Sequence, residues 1–79
     1  MTLNCETIDL KLGSKGSEVK ELQEILKYKG YYKREVDGDY GEYTEQAVKE
    51  LQENQGNSPD GWFGPKTCKK NESRKHFNK

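Results

Sequence analysis

Apolar side chains recur at helical spacing in two stretches of the chain, and nowhere do they alternate with the period of a strand. In residues 17–29, Val19, Leu22 and Leu26 fall at i, i+3 and i+7 with Ile25 beside them. Lys20, Glu21, Glu24 and Lys27 take the water-facing positions. Gly16 or Ser17 suits the N-cap, Glu18 the first turn, and Gly30 the stop. Residues 42–55 form a second pattern, with Thr44, Ala47, Val48, Leu51 and Gln55 on one stripe and Gly56 ending it. Glu45 and Lys49 stand at i,i+4, a pairing worth a few tenths of a kcal/mol. Pro65, after Gly64, suits the first position of a third, short helix that runs on through Thr67 and Cys68. The pattern predicts an all-α chain whose connections are dense in Gly, Asp and Asn.

Two of those connections repeat one another. Asp37-Gly38-Asp39-Tyr40-Gly41-Glu42-Tyr43-Thr44 and Asp60-Gly61-Trp62-Phe63-Gly64-Pro65-Lys66-Thr67 share the pattern Asp-Gly-x-aromatic-Gly-x-x-Thr, offset by 23 positions throughout. Each copy stands directly before a helix. Asp-Gly makes a tight turn in which Gly can take positive φ. The aromatic folds inward, the second Gly lets the backbone enter the helix closely, and Thr lies on the inward stripe. The element is a structural device used twice: each Asp is first a turn-maker, and Tyr40 and Phe63 are core residues.

Composition sharpens the reading. Leu, Ile, Val and Phe make up 13 of 79 residues, a thin core, but 14 Lys and Arg offset 14 Asp and Glu, and eight aromatics supply burial. The chain reads as one small folded domain of the kind that often needs a staple. Cys5 and Cys68 could pair or remain separate thiols; a bridge across 63 positions is worth on the order of 4 kcal/mol by loop entropy. Charge is uneven: residues 1–65 carry 8 basic and 13 acidic groups, whereas residues 66–79 carry 6 basic and 1 acidic. An acidic body with a basic tail is a poor footprint for nucleic acid. No stretch approaches the length of a membrane span, and no apolar signal region opens the chain.

From Leu10 onward the chain resembles the bacterial peptidoglycan-binding domain. Leu10, Gly13, Gly16, Val19, Leu22 and Gln23 match its opening signature. Gly30-Tyr31-Tyr32, then Val36 to Gly41, Thr44, Ala47-Val48, Gln52 and Pro59 to Thr67 follow in register. The resemblance covers about residues 10–70. It implies a closed three-helix bundle that anchors cell-wall hydrolases, such as amidases, peptidases, transglycosylases and phage endolysins, and is not itself catalytic. The chain departs from the family at Leu51, where Phe is common, at Cys68, where Trp is common, and near position 71, where Leu is usual. The fold is also similar to the pro-segment of matrix metalloproteases. Cys68, within Lys66-Thr67-Cys68-Lys69, lacks the Pro-Arg-Cys-Gly setting that an inhibitory role needs.

Catalytic chemistry finds no footing in these residues. His76, the sole histidine, lies in the tail, which leaves a nucleophile no placed base. Cys5, Cys68 and His76 lack zinc-ligand spacing. Asp37 to Gly41 begins like a calcium loop, but its twelfth position is Val48 where Glu is required, so Glu35, Asp37, Asp39 and Glu42 read as a solvated acidic loop. No metal and no cofactor is expected.

Binding candidates are aromatic platforms beside polar hydrogen-bonders, because sugar rings offer C–H faces to Tyr and Trp. Tyr31, Tyr32, Asp39, Tyr43, Asn54 and Trp62 are the expected contacts. Of the adjacent Tyr31 and Tyr32, one should point inward and one outward, and Asp39 and Trp62 occupy the variable motif position. Together the elbows should shape one shallow surface. The expectation is an N-terminal extension over 1–9, a wall-binding domain over 10–70 and a basic tail over 71–79. Its partners would be peptidoglycan glycan or stem peptide and a hydrolase domain of the same polypeptide. It would act as a monomer outside the cell, without nucleic acid or membrane. The alternative is a helical protein–protein or pro-segment-like module without wall binding.

Overall fold

The computed structural model describes the backbone of residues 3–77 and the side chains of residues 3–71. Three helices follow in order, α1 (Ser17–Tyr28), α2 (Glu42–Gln55) and α3 (Pro65–Phe77), with no strand among the described residues. Gly16 caps α1, and Gly41 caps α2 in an extended conformation. At the C-terminus of α2, Gly56 turns left-handed at φ 82° and donates its N–H back to the last turn. The predicted boundaries hold to within a residue for α1 and α2, since caps and periodicity are local signals. The third helix extends through Phe77, into the segment expected to be a tail.

The helical stripes meet in one core. Val19, Leu22 and Leu26 of α1 join Ala47, Val48 and Leu51 of α2, and Cys68 of α3, with Tyr40 and Phe63 filling the space between. Both motif aromatics are fully buried, as the repeat predicts. Ile25 is only half-buried, at the edge of the α1 stripe. Residues before Leu10 also take part: Ile8 and Cys5 are buried in the same cluster. Cys5 is bonded to Cys68 with 5.3 Å between their Cα atoms, tying the N-terminal leg to α3. Glu45 and Lys49 close no ion pair; both side chains lie instead against Gly61, where a Cβ would meet Glu45 Cγ at 2.8 Å.

The N-terminal leg pairs with each elbow in turn through single antiparallel bridges, Leu10 with Phe63 and Lys15 with Asp39. Leu10 and Phe63 exchange backbone hydrogen bonds of 3.1 and 2.8 Å. Tyr40 N–H donates to the Ser14 carbonyl, and Gly16 N–H to that of Gly38. The leg therefore fixes the elbows against each other, and with them everything they line.

Candidate functional site

The two elbows share a left-handed glycine and an Asp-locked turn. Gly38 and Gly61 take φ values of 77° and 78°, a left-handed conformation that favours glycine. In each, the Asp carboxylate accepts the N–H two residues on: Asp39 N–H to Asp37 and Trp62 N–H to Asp60, both at 3.0 Å. Those bonds hold both carboxyls below the usual range. The backbone N–H is the main cause at each; Gln23 adds to it at Asp37, and at Asp60 burial opposes the shift more than Gln52 adds to it.

Each elbow is clasped by a buried glutamine from the preceding helix. The Gln23 carbonyl oxygen accepts from Asp37 N–H at 3.1 Å and Gly38 N–H at 2.9 Å, and its amide nitrogen donates to the Asp39 carbonyl and the Thr44 hydroxyl, both at 3.0 Å. Gln52 repeats the arrangement. Its oxygen accepts from Gly61 N–H, and its nitrogen donates to Asp60, to the Trp62 carbonyl and to the Thr67 hydroxyl. An amide side chain suits this position because it supplies acceptor and donors together. The signal for these clasps is present in the sequence: Val19-Lys20-Glu21-Leu22-Gln23 and Val48-Lys49-Glu50-Leu51-Gln52 are identical pentapeptides. Each motif Thr thus points inward to a glutamine of the helix before it.

Two shallow grooves open on the elbows, one beside each. The larger, about 340 Å³, is lined by Tyr32, Arg34, Glu35, Asp37, Asp39, Gly41, Tyr43 and Thr44. The smaller, about 80 Å³, is lined by Gln52, Asn57, Ser58, Asp60, Trp62, Gly64, Lys66 and Thr67. Seven lining positions correspond at the 23-residue offset of the repeat. The repeat therefore extends from the turns to the surface they frame.

The six sequence-derived candidates separate accordingly. Tyr32, Asp39 and Tyr43 lie on the larger groove. Tyr43 is 59% exposed, with the Arg34 guanidinium 3.8 Å from its ring centroid. Asp39 is exposed. Tyr32 is the inward member of its pair: it is buried, and its hydroxyl donates to the Glu35 carbonyl at 2.7 Å. Only its edge can serve a ligand. Tyr31 is half-buried against the core and lines neither groove. Asn54 is exposed on α2, donates to the Glu50 carbonyl at 3.0 Å, and also lines neither.

Trp62 lies on the smaller groove, 44% exposed, with its indole N–H donating to Asp9 at 2.7 Å. That bond, with the nearby Lys11, holds the Asp9 carboxyl below its ordinary value. Arg34, Glu35, Asn57, Ser58 and Lys66 are groove residues that periodicity did not single out. Tyr40 is no ligand contact. Burial pushes its phenol far up, with the charges of Glu45 and Asp60 adding to the effect, so it remains a hydrogen-bond donor.

Comparison with known proteins follows this geometry. The family described as "Putative peptidoglycan binding domain" matches residues 15–70. The spore cortex-lytic enzyme of Bacillus subtilis (strain 168) is 40% identical over 72 residues, covering 82% of this chain and 24% of that protein. The N-acetylmuramoyl-L-alanine amidase CwlL of Bacillus licheniformis is 47% identical over 62 residues, covering 76% of this chain and 17% of that protein. Among solved structures, the SleB N-terminal domain superposes with a TM-score of 0.77 at 40% identity, covering 80% of this chain and 86% of that one. The Burkholderia AP3 phage endolysin gives 0.71 at 38% identity, covering 76% and 23%. The chain spans about a quarter or less of the curated relatives it matches.

Proposed function

The chain belongs to the peptidoglycan-binding domain family, and we propose that it is a non-catalytic module that holds a hydrolase on the cell wall. The observation that carries this reading is the larger groove, where Tyr43, backed by Arg34, stands exposed beside Asp39 on a floor clasped by Gln23. An exposed ring offers a face to a sugar, and the carboxylate and guanidinium offer partners to hydroxyls and to charged stem-peptide groups. The ligand is peptidoglycan glycan together with stem peptide.

Such a groove binds weakly, and its effect is to raise local concentration, so that a tethered enzyme meets new bonds without returning to bulk solution. The relatives support a hydrolase partner in the same polypeptide, since this chain matches only 17–24% of their length. The disulfide supports an oxidising, extracellular or wall-associated setting. In this reading residues 10–70 form the binding domain, residues 3–9 pack onto it as an extension, and the module works as a monomer without nucleic acid or membrane.

Co-sedimentation with purified sacculi tests the proposal. The chain should pellet with the wall at low and moderate salt and release no soluble muropeptide. Retention in the supernatant under both conditions, with capture of a protein partner instead, would establish the protein–protein alternative.

A further inference from the structure

The second groove reproduces the first in kit but not in arrangement. At the repeat offset Tyr43 corresponds to Lys66, Asp39 to Trp62, Arg34 to Asn57 and Glu35 to Ser58. Each groove therefore holds one exposed aromatic ring, one cation and one turn-locked Asp, but in the second the cation stands where the first has its ring, and the ring stands where the first has Asp39. In the first, the cation stacks on the ring, 3.8 Å from its centroid. In the second, the ring is fixed independently. Its indole N–H is bonded to Asp9 at 2.7 Å, and one part of the ring lies on Gly64, where an added Cβ would come within 2.6 Å of it.

The floor beneath is equally rigid. Gln52 donates to Asp60, to the Trp62 carbonyl and to the Thr67 hydroxyl at 2.9–3.1 Å. A ring already held in place loses little freedom on binding, which is where weak shallow sites otherwise lose their affinity. A volume of about 80 Å³ takes a small substituent and not a whole sugar ring. The ring of the ligand must then lie on Trp62, with a side group entering between Asn57, Ser58 and Lys66. An acetamido group matches an amide and a hydroxyl, and a carboxylate on the same sugar matches the exposed Lys66.

We propose that this groove is a second subsite for the wall polymer, taking an N-acetylated, carboxylate-bearing amino sugar of the glycan strand, so that one chain grips the strand at two repeat-related points. The proposal rests on the wall-binding reading above and adds a site to it. Two weak contacts on one polymer act together through effective concentration, so losing either should cost retention on sacculi far more than its share of fragment binding.

Nuclear magnetic resonance titration of the whole chain, with sacculus co-sedimentation in parallel, tests it. A soluble, peptide-free disaccharide of N-acetylglucosamine and N-acetylmuramic acid should shift the Trp62 indole N–H and the Lys66 amide, whereas free stem tetrapeptide should not. Lys66→Glu should lower sacculus retention about tenfold while leaving the Gly41 and Tyr43 amides responsive to a disaccharide–tetrapeptide fragment. Shifts confined to the larger groove, with Lys66→Glu and Trp62→Ala retained like the parent, would overturn the second subsite and leave wall binding intact. Shifts at Trp62 from the peptide alone would overturn the sugar assignment. A folded parent chain that neither sediments nor shifts with any probe would overturn both readings.

Discussion

The Tyr40 hydroxyl donates a 2.6 Å hydrogen bond to the Gly61 carbonyl, so the ring of the first elbow is bonded to the backbone of the second. This contact ties the two elbows to each other and helps fix the relative placement of the two grooves. Tyr40→Phe keeps the buried ring but leaves the Gly61 carbonyl without this donor. We expect a loss of about 1–3 kcal/mol, read from urea denaturation, with a near-native circular dichroism spectrum at 25 °C.

The glutamine clasps should be stronger determinants than their polarity suggests. Gln23→Leu and Gln52→Leu each fit an apolar side chain into a buried place while orphaning several backbone groups of one elbow. Each should cost on the order of 2–4 kcal/mol. Hydrogen exchange separates them: Gln23→Leu should first expose the Gly38 amide, and Gln52→Leu that of Gly61. Equal exchange at both sites in either variant would contradict independent clasps.

Breaking the Cys5–Cys68 bond should lower stability by about 4 kcal/mol, because it frees a closed loop of 63 positions in the unfolded chain. Thermal melts with and without reductant measure it. A Cys5→Ala, Cys68→Ala double variant should melt low and show no response to reductant.

Asn71 stands buried on α3, and its side-chain oxygen finds no hydrogen-bond partner among the described residues. Asn71→Leu removes a desolvated acceptor and fills the space with hydrocarbon, so stability should rise by about 1 kcal/mol, visible as a higher denaturation midpoint.

The depressed carboxyls set an acid limit. Asp9, Asp37 and Asp60 bind protons less readily folded than unfolded, so they contribute stability that is complete above their unfolded pKa of about 4 and is lost as pH falls through the lower folded values. A stability–pH curve should be flat in this respect from neutral pH down to about 5 and fall below about 4. In an Asp37→Asn, Asp60→Asn variant, which keeps an acceptor but no charge, the fall should be shallower.

Much of this protein was legible along the chain. Helix limits, the inward ring of each elbow and the glycine turns follow from caps, spacing and backbone freedom, which act between near neighbours and so leave marks in local sequence. The family likeness added the bundle. What folding alone decided lies in contacts between distant positions. The glutamines of the repeated pentapeptides became elbow clasps because their partners lie 8 to 21 residues away. The two cysteines met because the N-terminal leg runs back across α3, and Tyr32 rather than Tyr31 turned inward because its hydroxyl reached Glu35 and Gln23. The grooves belong to the same class. Periodicity ranks residues by their side of a helix, whereas a groove takes its walls from loop residues such as Arg34 and Asn57, whose position depends on how a loop packs and not on helical spacing.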